Sequence, residues 1–283
     1  MAARDAGLSP GLVQSVRDAV RGGAVSILAD GEALDIVLAA APDMAAVRAA
    51  IAGASVDAVC QPAAGRRKHL LVADMDSTVV TTETLDELAE FAGCGQQVAA
   101  LTRRSMNGEI DFREALRTRV AMLRGLTLEA LEATWARVRL TSGARSLVAT
   151  MRAHGALTAL VSGGFTFFTG RVAEAAGFDV HRANVLIDDG TALTGTVAEP
   201  ILDRDAKRTT LEALAAERGL PAVATLAVGD GANDLAMLDA AGLGVAYHAR
   251  PAVAAVAKAR IDHTDLRALL YVQGYAAGEI REG

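Results

Sequence analysis

Two aspartates separated by a single residue, Asp74 and Asp76, directly follow the apolar run at 70–73. Side chains at alternate positions of an extended chain point to the same face, so the two carboxylates converge where a predicted strand ends. Taken alone, such a pair is equally typical of a solvated turn. In open α/β sheets, however, ligands bind at the carboxyl ends of the strands, and this position makes both aspartates candidates for chemistry.

A second predicted strand brings two more carboxylates to the same region. The apolar run at 226–228 leads into Gly-Asp-Gly-Ala-Asn-Asp, which contains Asp230, Asn233 and Asp234. Two unit charges roughly 4 Å apart repel by about 4 kcal/mol at an effective dielectric constant of about 20, and a cluster of four needs a cation to offset the repulsion. Mg²⁺ prefers a few carboxylates together with waters and phosphate oxygens. The sequence therefore predicts a Mg²⁺ site.

Two other kinds of site with similar letters fit these segments less well. An EF-hand loop needs a glycine where Val79 stands, and a helix instead of a strand before its first aspartate. A dinucleotide-binding fingerprint needs its third glycine where Asp234 stands, and Asp230 lies inside the fingerprint. Both carboxylates would repel a pyrophosphate, so neither alternative is favoured.

Two further segments are candidates for binding a phosphoryl group. Ser162, Gly163 and Gly164 follow a predicted strand, and a hydroxyl beside glycine backbone N–H groups can hold phosphate oxygens. Lys207 lies at a predicted helix start before the Asp230 segment. Each feature alone is typical of an ordinary turn or a solvated lysine, and only their combination with the carboxylates carries weight.

Alternating strands and helices must position these groups. From residue 69 onward, helical patterns alternate with strand-like runs at 70–73, 157–161, 224–228 and 244–246. Such alternation predicts an α/β fold with a doubly wound parallel sheet. Residues 83–149 have helical periodicity and no convincing strand, which predicts a helical insertion over the sheet. The segments at 184–187 and 193–197 predict a hairpin.

The first 68 residues predict a separate small α+β module. Helical patterns and strand-like runs follow one another at 10–20, 25–28, 34–38, 44–51 and 56–60. A linker that contains proline and glycine and ends in three basic residues follows them. We therefore expect a module at 1–68, an α/β core at 69–82 and 146–283, and an inserted helical cap at 83–145.

In chain order, the segments around Asp74, Ser162, Lys207 and Asp230 resemble the four motifs of the haloacid dehalogenase superfamily, and within it the phosphoserine phosphatases. The resemblance covers residues 70 to about 270. It implies a Rossmann-like core with a helical cap inserted after the first strand. It also implies Mg²⁺-dependent hydrolysis of O-phosphoserine to serine and phosphate through an aspartyl-phosphate, the last step of serine biosynthesis. The α-β-β-α-β order of the first module resembles an amino-acid-sensing ACT module that lacks a strand, and a role in packing or dimerisation is an equal alternative.

The resemblance implies catalytic roles for the first two aspartates. Asp74 corresponds to the nucleophile that takes the phosphoryl group, and Asp76 to the general acid that protonates the leaving serine oxygen and then activates water. A dense negative cluster raises the pKa of one of its carboxyls, which agrees with this division. Mg²⁺ would be held by Asp230, the Asp74 carboxylate and the Asp76 main-chain carbonyl.

The same resemblance implies how the phosphate is bound. Ser162, the Gly163 N–H and Lys207 would contact the phosphoryl oxygens. Asn233 would form a hydrogen bond near the phosphate, and Asp234 would orient Lys207 or the metal-bound waters.

Two residues of the insertion are candidates for reading the rest of the substrate. Arg119 falls inside the apolar arc of a helix that starts at an N-cap Asp111, and a guanidinium on a buried face needs a partner. The resemblance implies that this partner is the substrate carboxylate; the alternative is an arginine that reaches solvent past the helix interface. Glu83, nine residues after Asp74, corresponds to the glutamate that meets the substrate ammonium. The expected substrate is O-phospho-L-serine.

Composition excludes several other classes of protein. The 283 residues carry 28 basic and 34 acidic side chains without a Lys/Arg-rich run, and aromatics make up 4%, which disfavours nucleic acid and anionic membranes as partners. The two cysteines lack a CxxC spacing, so we expect small buried residues and no disulfide or zinc site. The longest charge-free stretch, at 155–170, is too short to span a bilayer. The expected location is the cytoplasm, and a homodimer stays open.

Two rival functions remain at this point. One is another phosphatase or phosphotransferase of the same superfamily, acting on a sugar phosphate or passing the phosphoryl group to an alcohol. The other is a non-catalytic protein whose aspartates bind a cation or an amino acid for regulation. A pure binder has no need of a nucleophile and an acid together, which disfavours the second.

Overall fold

A six-stranded parallel sheet forms the centre of the computed structural model, which describes residues 1–3, 7–106 and 109–283. A four-stranded antiparallel sheet and a two-stranded hairpin accompany it. In chain order the strands are β1 (Ala2–Ala3), β2 (Val25–Ala29), β3 (Ala33–Ile36), β4 (Val56–Asp57), β5 (Leu70–Ala73), β6 (Leu157–Phe165), β7 (Val180–Asn184), β8 (Leu186–Asp188), β9 (Leu193–Val197), β10 (Thr225–Gly229), β11 (Leu243–Tyr247) and β12 (Ala259–Ile261). The helices are α1 (Pro10–Val20), α2 (Met44–Ala50), α3 (Thr84–Phe91), α4 (Gly95–Met106), α5 (Phe112–Ala121), α6 (Leu128–Trp135), α7 (Ala144–Ala153), α8 (Thr166–Ala176), α9 (Arg204–Glu217), α10 (Leu235–Ala240), α11 (Pro251–Val256) and α12 (Ala268–Val272).

The parallel sheet has the strand order β12-β11-β10-β5-β6-β7, so β5 lies inside it between β10 and β6. All four residues of β5 are buried, and they alternate between two apolar clusters: Leu71 and Ala73 in one, Leu70 and Val72 in the other. A strand covered on both faces reads as a continuous apolar run. The sheet confirms the predicted doubly wound α/β fold.

The chain between β5 and α7 forms the helices α3 to α6, as the helical periodicity predicts. Their apolar faces join the cluster that includes Leu71 and Ala73, and α5 packs against β9 of the hairpin. The insertion is therefore a cap that lies over one end of the sheet and shares its core.

Three strands were not predicted, because each is too short or too polar to carry a strand pattern. β1 has two residues and β12 has three, while β7, with sequence Val-His-Arg-Ala-Asn, is a mostly polar edge strand. The predicted hairpin is also shifted. Asn184 belongs to β7, and the hairpin pairs β8 with β9.

The amino-terminal module has the element order β-α-β-β-α-β and the sheet order β2-β3-β1-β4. The strand missing from the sequence prediction is β1, which pairs antiparallel with both β3 and β4. The strand predicted at 56–60 ends at Asp57. Cys60, just beyond it, is exposed and Cys94 is half-buried, so the expectation of two buried cysteines is wrong.

Among the described residues, no helix has the length and apolar composition that crossing a bilayer requires.

The buried carboxylate of Asp57 is one of the contacts that join the module to the core. Asp57 on β4 accepts hydrogen bonds from the backbone N–H groups of Asp262 (2.7 Å), His263 (3.2 Å) and Thr264 (2.9 Å), and from the Thr264 hydroxyl (2.6 Å). These donors lie just after β12. All four hydrogen bonds would be lost together if the Asp57 carboxylate moved away. Asp57 is therefore a strong constraint on how the module attaches to the core.

We predict that Asp57→Ala lowers the free energy of unfolding by about 3 kcal/mol or more, since the two buried donors of Thr264 and the part-buried N–H groups of Asp262 and His263 lose a charged acceptor. Asp43→Ala serves as a matched control: Asp43 caps α2 through one exposed hydrogen bond to the Ala45 N–H, and losing a cap costs about 1 kcal/mol. Urea denaturation measures both. An Asp57 variant that loses no more stability than the Asp43 variant would contradict the assignment.

Candidate active site

A cavity of about 480 Å³ lies between the carboxyl ends of the parallel strands and the cap. Residues from both parts of the chain form its walls. Among them are eight predicted site residues: Asp74, Asp76, Glu83, Arg119, Ser162, Gly163, Asp230 and Asn233. The other two, Lys207 and Asp234, are buried directly behind Asp74. The structure thus brings all ten predicted positions to one place.

Lys207 bridges two buried carboxylates. Its Nζ lies 2.6 Å from Asp74 Oδ1 and 2.6 Å from Asp234 Oδ1. Burial disfavours the ammonium, but the charges of Asp234 and Asp74 outweigh it and raise the pKa of Lys207. Lys207 sits in the first turn of α9, where Asp203 accepts a hydrogen bond from the Asp205 N–H as N-cap. Its placement behind Asp74 lets it hold that carboxylate, while direct contact with a phosphoryl oxygen stays a prediction.

The Asp74 carboxylate is fixed from several directions. It is 5% exposed, and its Oδ1 accepts a hydrogen bond from the Met75 N–H at 2.8 Å. Burial and the negative charge of Asp234 raise its pKa well above the usual value, and Lys207 opposes this. Asp74 is therefore a carboxylate whose charge depends on its cationic surroundings.

Asp76 occupies a different environment, although it is only two residues away. Its Oδ1 accepts from the Thr84 N–H (2.9 Å) at the start of α3, and its Oδ2 accepts from the Ser162 hydroxyl (3.2 Å). Burial raises the pKa of Asp76, and these hydrogen bonds oppose the shift. The two carboxyls therefore have different partners: Asp74 contacts Lys207, whereas Asp76 bridges the start of α3 and the end of β6.

The acidic residues leave room for a cation. One oxygen each of Asp74, Asp230 and Asp234 lies within 4.8 Å of the others. Asp234 is already engaged by Lys207 and, at 2.9 Å, by the Gly231 N–H. Burial, followed by the charge of Asp234, raises the pKa of Asp230 to about 6. An all-oxygen donor set with several carboxylates fits Mg²⁺, and Asp74 and Asp230 stay the predicted side-chain ligands.

The Ser162-Gly163-Gly164 segment ends β6 beside these carboxylates. The Ser162 hydroxyl accepts from the Gly164 N–H at 2.8 Å, and the Gly163 carbonyl accepts from Asn184 Nδ2 at 2.9 Å. Asn184 also bonds the Leu202 backbone through both of its amide atoms. This buried asparagine fixes the glycine segment against the loop that leads to α9. The sequence placed Asn184 in a predicted hairpin strand and did not indicate these contacts.

Arg119 is held in place on the cap side of the cavity. It is 8% exposed, its Nε donates to the Ala115 carbonyl (3.2 Å), and its Nη1 donates to the Thr102 hydroxyl (3.1 Å). Burial lowers its pKa, while Asp86 and Glu83 raise it. The neighbouring arginines of α5, Arg113 and Arg117, are exposed, as the helical arc predicts.

Glu83 immediately precedes α3 and lines the same cavity. Its Oε1 accepts from the Ser77 hydroxyl at 2.8 Å and lies 3.8 Å from Arg250 Nη2. Burial, followed by the charge of Asp76, raises the pKa of Glu83 to about 7. Arg119 and Glu83 thus add a guanidinium and a carboxyl group from the cap to the cavity.

Two ion pairs that the sequence did not predict join the cap to the core, one of them at the cavity. Arg113 pairs with Asp203 at 2.7 Å and Arg117 pairs with Glu199 at 2.5 Å. Asp203 is the N-cap of α9, so the first pair places the start of α5 close to the lysine-bearing helix. The available signal was the i, i+4 spacing of the two arginines on one face of α5.

Comparisons with known proteins agree with this geometry. The family model for haloacid dehalogenase-like hydrolases matches residues 71–239. The chain is 43% identical over 219 residues to a phosphoserine phosphatase of Archaeoglobus fulgidus, covering 77% of this chain and 64% of the relative. It spans 53% to 64% of the length of that protein and of two relatives from Streptomyces coelicolor and Mycobacterium tuberculosis.

Two solved structures extend the comparison. The crystal structure of a probable phosphoserine phosphatase from Vibrio cholerae, in unliganded form, has a TM-score of 0.80 at 31% identity and covers 96% of this chain and 85% of its own. A phospho-aspartyl intermediate analogue of phosphoserine phosphatase has a TM-score of 0.67 at 39% identity, with 72% of this chain and 98% of its own covered.

We predict that Asp230→Asn raises the melting temperature without Mg²⁺ at pH 7.5 and removes the stabilisation that Mg²⁺ gives the parent. A carboxyl whose folded pKa is raised contributes most stability below its unfolded pKa, near 4, and loses it as the pH rises through about 6. A neutral amide avoids this loss, so the melting temperature should rise by about 2 °C or more. For the same reason, the Mg²⁺ shift of the parent, meaning the increase in its melting temperature on adding Mg²⁺, should be larger at pH 7.5 than at pH 5.

Thermal scans of both proteins with Mg²⁺ or EDTA measure these shifts. Asp239→Asn, at an exposed aspartate paired with Lys258, is the matched control and should keep the Mg²⁺ shift of the parent. A Mg²⁺ shift that survives in Asp230→Asn would exclude Asp230 as a ligand.

Proposed function

The chain belongs to the haloacid dehalogenase-like hydrolase family, and we propose that it is a phosphatase that hydrolyses O-phospho-L-serine to serine and phosphate. The observation that carries this proposal is one cavity lined by two kinds of groups. Asp74, Ser162 and Asp230 come from the ends of the core strands, and Arg119 and Glu83 come from the cap. A phosphate, a carboxylate and an ammonium group on one small molecule match these groups.

Asp74 is the proposed nucleophile. Its carboxylate attacks phosphorus, the bond from phosphorus to the serine oxygen breaks, and an aspartyl-phosphate forms. Lys207 and the Met75 N–H both contact Asp74 Oδ1, which favours the ionised form and fixes its direction. A buried nucleophile needs this support because burial alone would keep it protonated.

Asp76 is the proposed general acid and base. Its raised pKa favours a protonated carboxyl that can donate to the departing serine oxygen. The carboxylate left behind accepts a proton from water, whose oxygen attacks phosphorus, releases phosphate and restores Asp74. The hydrogen bonds from the Thr84 N–H and the Ser162 hydroxyl hold Asp76 on the cap side of the cavity.

Mg²⁺ would be held by Asp74, Asp230 and the main-chain carbonyl of Asp76. When bound, it supplies positive charge that offsets the charge of the phosphate and of the carboxylates. Asp234 keeps Lys207 in place from behind.

Residues of the cap would bind the amino-acid part of the substrate. Arg119, fixed by Ala115 and Thr102, would bind the carboxylate, and Glu83 would bind the ammonium. The relatives and solved structures above support this choice of substrate, and it would place the reaction at the last step of serine biosynthesis. A cytoplasmic location stays a prediction.

We predict that Asp74→Asn abolishes phosphate release from O-phospho-L-serine, because an amide of nearly the same shape cannot form the acyl phosphate. The assay is release of inorganic phosphate with Mg²⁺ and with EDTA, and the parent should be active only with Mg²⁺. The exposed-site variant Asp239→Asn should match the parent. Turnover by pure, non-deamidated Asp74→Asn would overturn the nucleophile assignment.

We further predict that Arg119→Ala lowers kcat/KM for O-phospho-L-serine by roughly 10-fold to 150-fold, since one charged hydrogen bond contributes about 1.5 to 3 kcal/mol. Hydrolysis of p-nitrophenyl phosphate, which has no carboxylate or ammonium, should change much less. Some loss on this simple substrate is compatible with the assignment because the cap helps to assemble the site.

Arg117→Ala is the matched control for Arg119→Ala. Arg117 lies on the same helix, is exposed and pairs with Glu199 at 2.5 Å. The Arg117→Ala variant should keep the parent's ratio of activities on the two substrates. An Arg119→Ala variant that loses both activities to the same extent would show that Arg119 does not select the substrate.

A further inference from the structure

Glu83 is held by two residues from other parts of the chain. Ser77 belongs to the turn after Asp76, and its hydroxyl donates to Glu83 Oε1 at 2.8 Å. Arg250 lies after β11, and its Nη2 is 3.8 Å from the same oxygen. Both contacts are made to Oε1, on a side chain that is 38% exposed at the cavity. The two groups therefore share one oxygen of the carboxylate.

The backbone of Ser77 adopts a left-handed conformation at the residue whose hydroxyl contacts Glu83. Its φ of 55° and ψ of 4° are left-handed, a conformation that is costly for a residue other than glycine. Such conformations persist where the surrounding structure fixes them, and they cluster at functional sites. The Ser77 N–H donates to the Thr82 carbonyl at 3.3 Å, which closes the turn and keeps the hydroxyl next to Glu83.

Arg250 is anchored to the carboxylate segment of the core. Its backbone N–H donates to the Asp230 carbonyl at 3.2 Å, and Pro251 begins α11 directly after it. A fixed backbone limits the positions that the guanidinium can reach. The contact with Glu83 thus links the cap entrance to the same segment that carries Asp230.

We propose that Ser77 and Arg250 are positioning residues that hold Oε1 of Glu83, so that Oε2 is directed at the ammonium group of an amino-acid phosphate. This inference rests on the proposed function and adds to it the residues that orient the ammonium-binding carboxylate. A half-exposed glutamate has many rotamers, and restricting them beforehand lowers the entropy that binding must otherwise overcome.

The test compares two substrates that differ at one group. In 3-phosphoglycerate a hydroxyl stands where O-phosphoserine has its ammonium, so the ratio of kcat/KM for the two substrates reports ammonium recognition. General damage to catalysis cancels within one variant. The parent should prefer O-phospho-L-serine, and Glu83→Gln should remove most of this preference.

Two substitutions at position 77 distinguish the effect of losing the hydroxyl from the effect of changing the backbone strain. Ser77→Ala keeps the strain of a left-handed residue and Ser77→Gly relieves it, while both remove the hydroxyl. Each should lower the ratio by about 10-fold, the loss expected for one hydrogen bond to a charged group. An unchanged ratio in both variants, or a fall in only one of them, would overturn the role of Ser77.

Arg250 provides an independent test, which also applies if the Ser77 variants fold poorly. Arg250→Gln should lower the ratio about 2-fold to 5-fold, the range for a partly exposed ion pair, and Arg250→Lys should restore much of it. Arg208→Gln, an exposed α9 arginine paired with Glu212, is the control and should keep the ratio of the parent. A ratio equal to the parent's in Arg250→Gln would overturn the role of Arg250.

The decisive experiment repeats these changes in a Glu83→Gln background. If Ser77 and Arg250 act through Glu83, their substitution should no longer change the ratio there. A further fall would show that they act elsewhere and would overturn the inference alone. A parent that hydrolyses both substrates equally, with no effect of Glu83→Gln, would overturn the proposed substrate and this inference together.

Discussion

The ammonium group of Lys207 is the interaction on which the rest of the site depends. It lies 2.6 Å from both Asp74 and Asp234, and all three side chains are buried. Removing one partner from a buried ion pair leaves an uncompensated charge, which typically costs about 3 to 5 kcal/mol. The contact therefore fixes α9 against the ends of β5 and β10. It also sets the direction of the carboxylate that is proposed to attack phosphorus.

This lysine does not neutralise the whole cluster. Asp76 and Asp230 keep raised pKa values, chiefly because burial disfavours their charged forms. Four aspartates, Asp74, Asp76, Asp230 and Asp234, thus lie around this one lysine. A divalent cation would offset their charge, which would allow the proposed phosphatase to place carboxylates where an anion must bind.

The cap is attached in a different way. Its ion pairs with the core, Arg113 with Asp203 and Arg117 with Glu199, involve arginines that are about half exposed, and such pairs contribute about 1 kcal/mol or less each. Arg119, by contrast, is buried and held within the cap by Thr102 and Ala115. Arg119, the proposed recognition group, is therefore fixed within the cap, whereas the two ion pairs contribute little to the attachment of the cap, which also shares an apolar cluster with the core.

The sequence by itself determined the parallel sheet, the helical cap and the four motif segments. Apolar runs that end in aspartate or glycine are local patterns, and the helical arc alone separates buried Arg119 from its exposed neighbours. Only the tertiary structure decided the contacts made across the chain. It brought Ser77 and Arg250 to Glu83, Asn184 to Gly163 and Asp57 to the loop after β12. These partners are between 6 and 207 residues apart, and their side chains carry no periodic signal. The turn after β5 brings Ser77 to Glu83, and the other pairings follow from the order of the strands in the sheets, which local patterns do not encode.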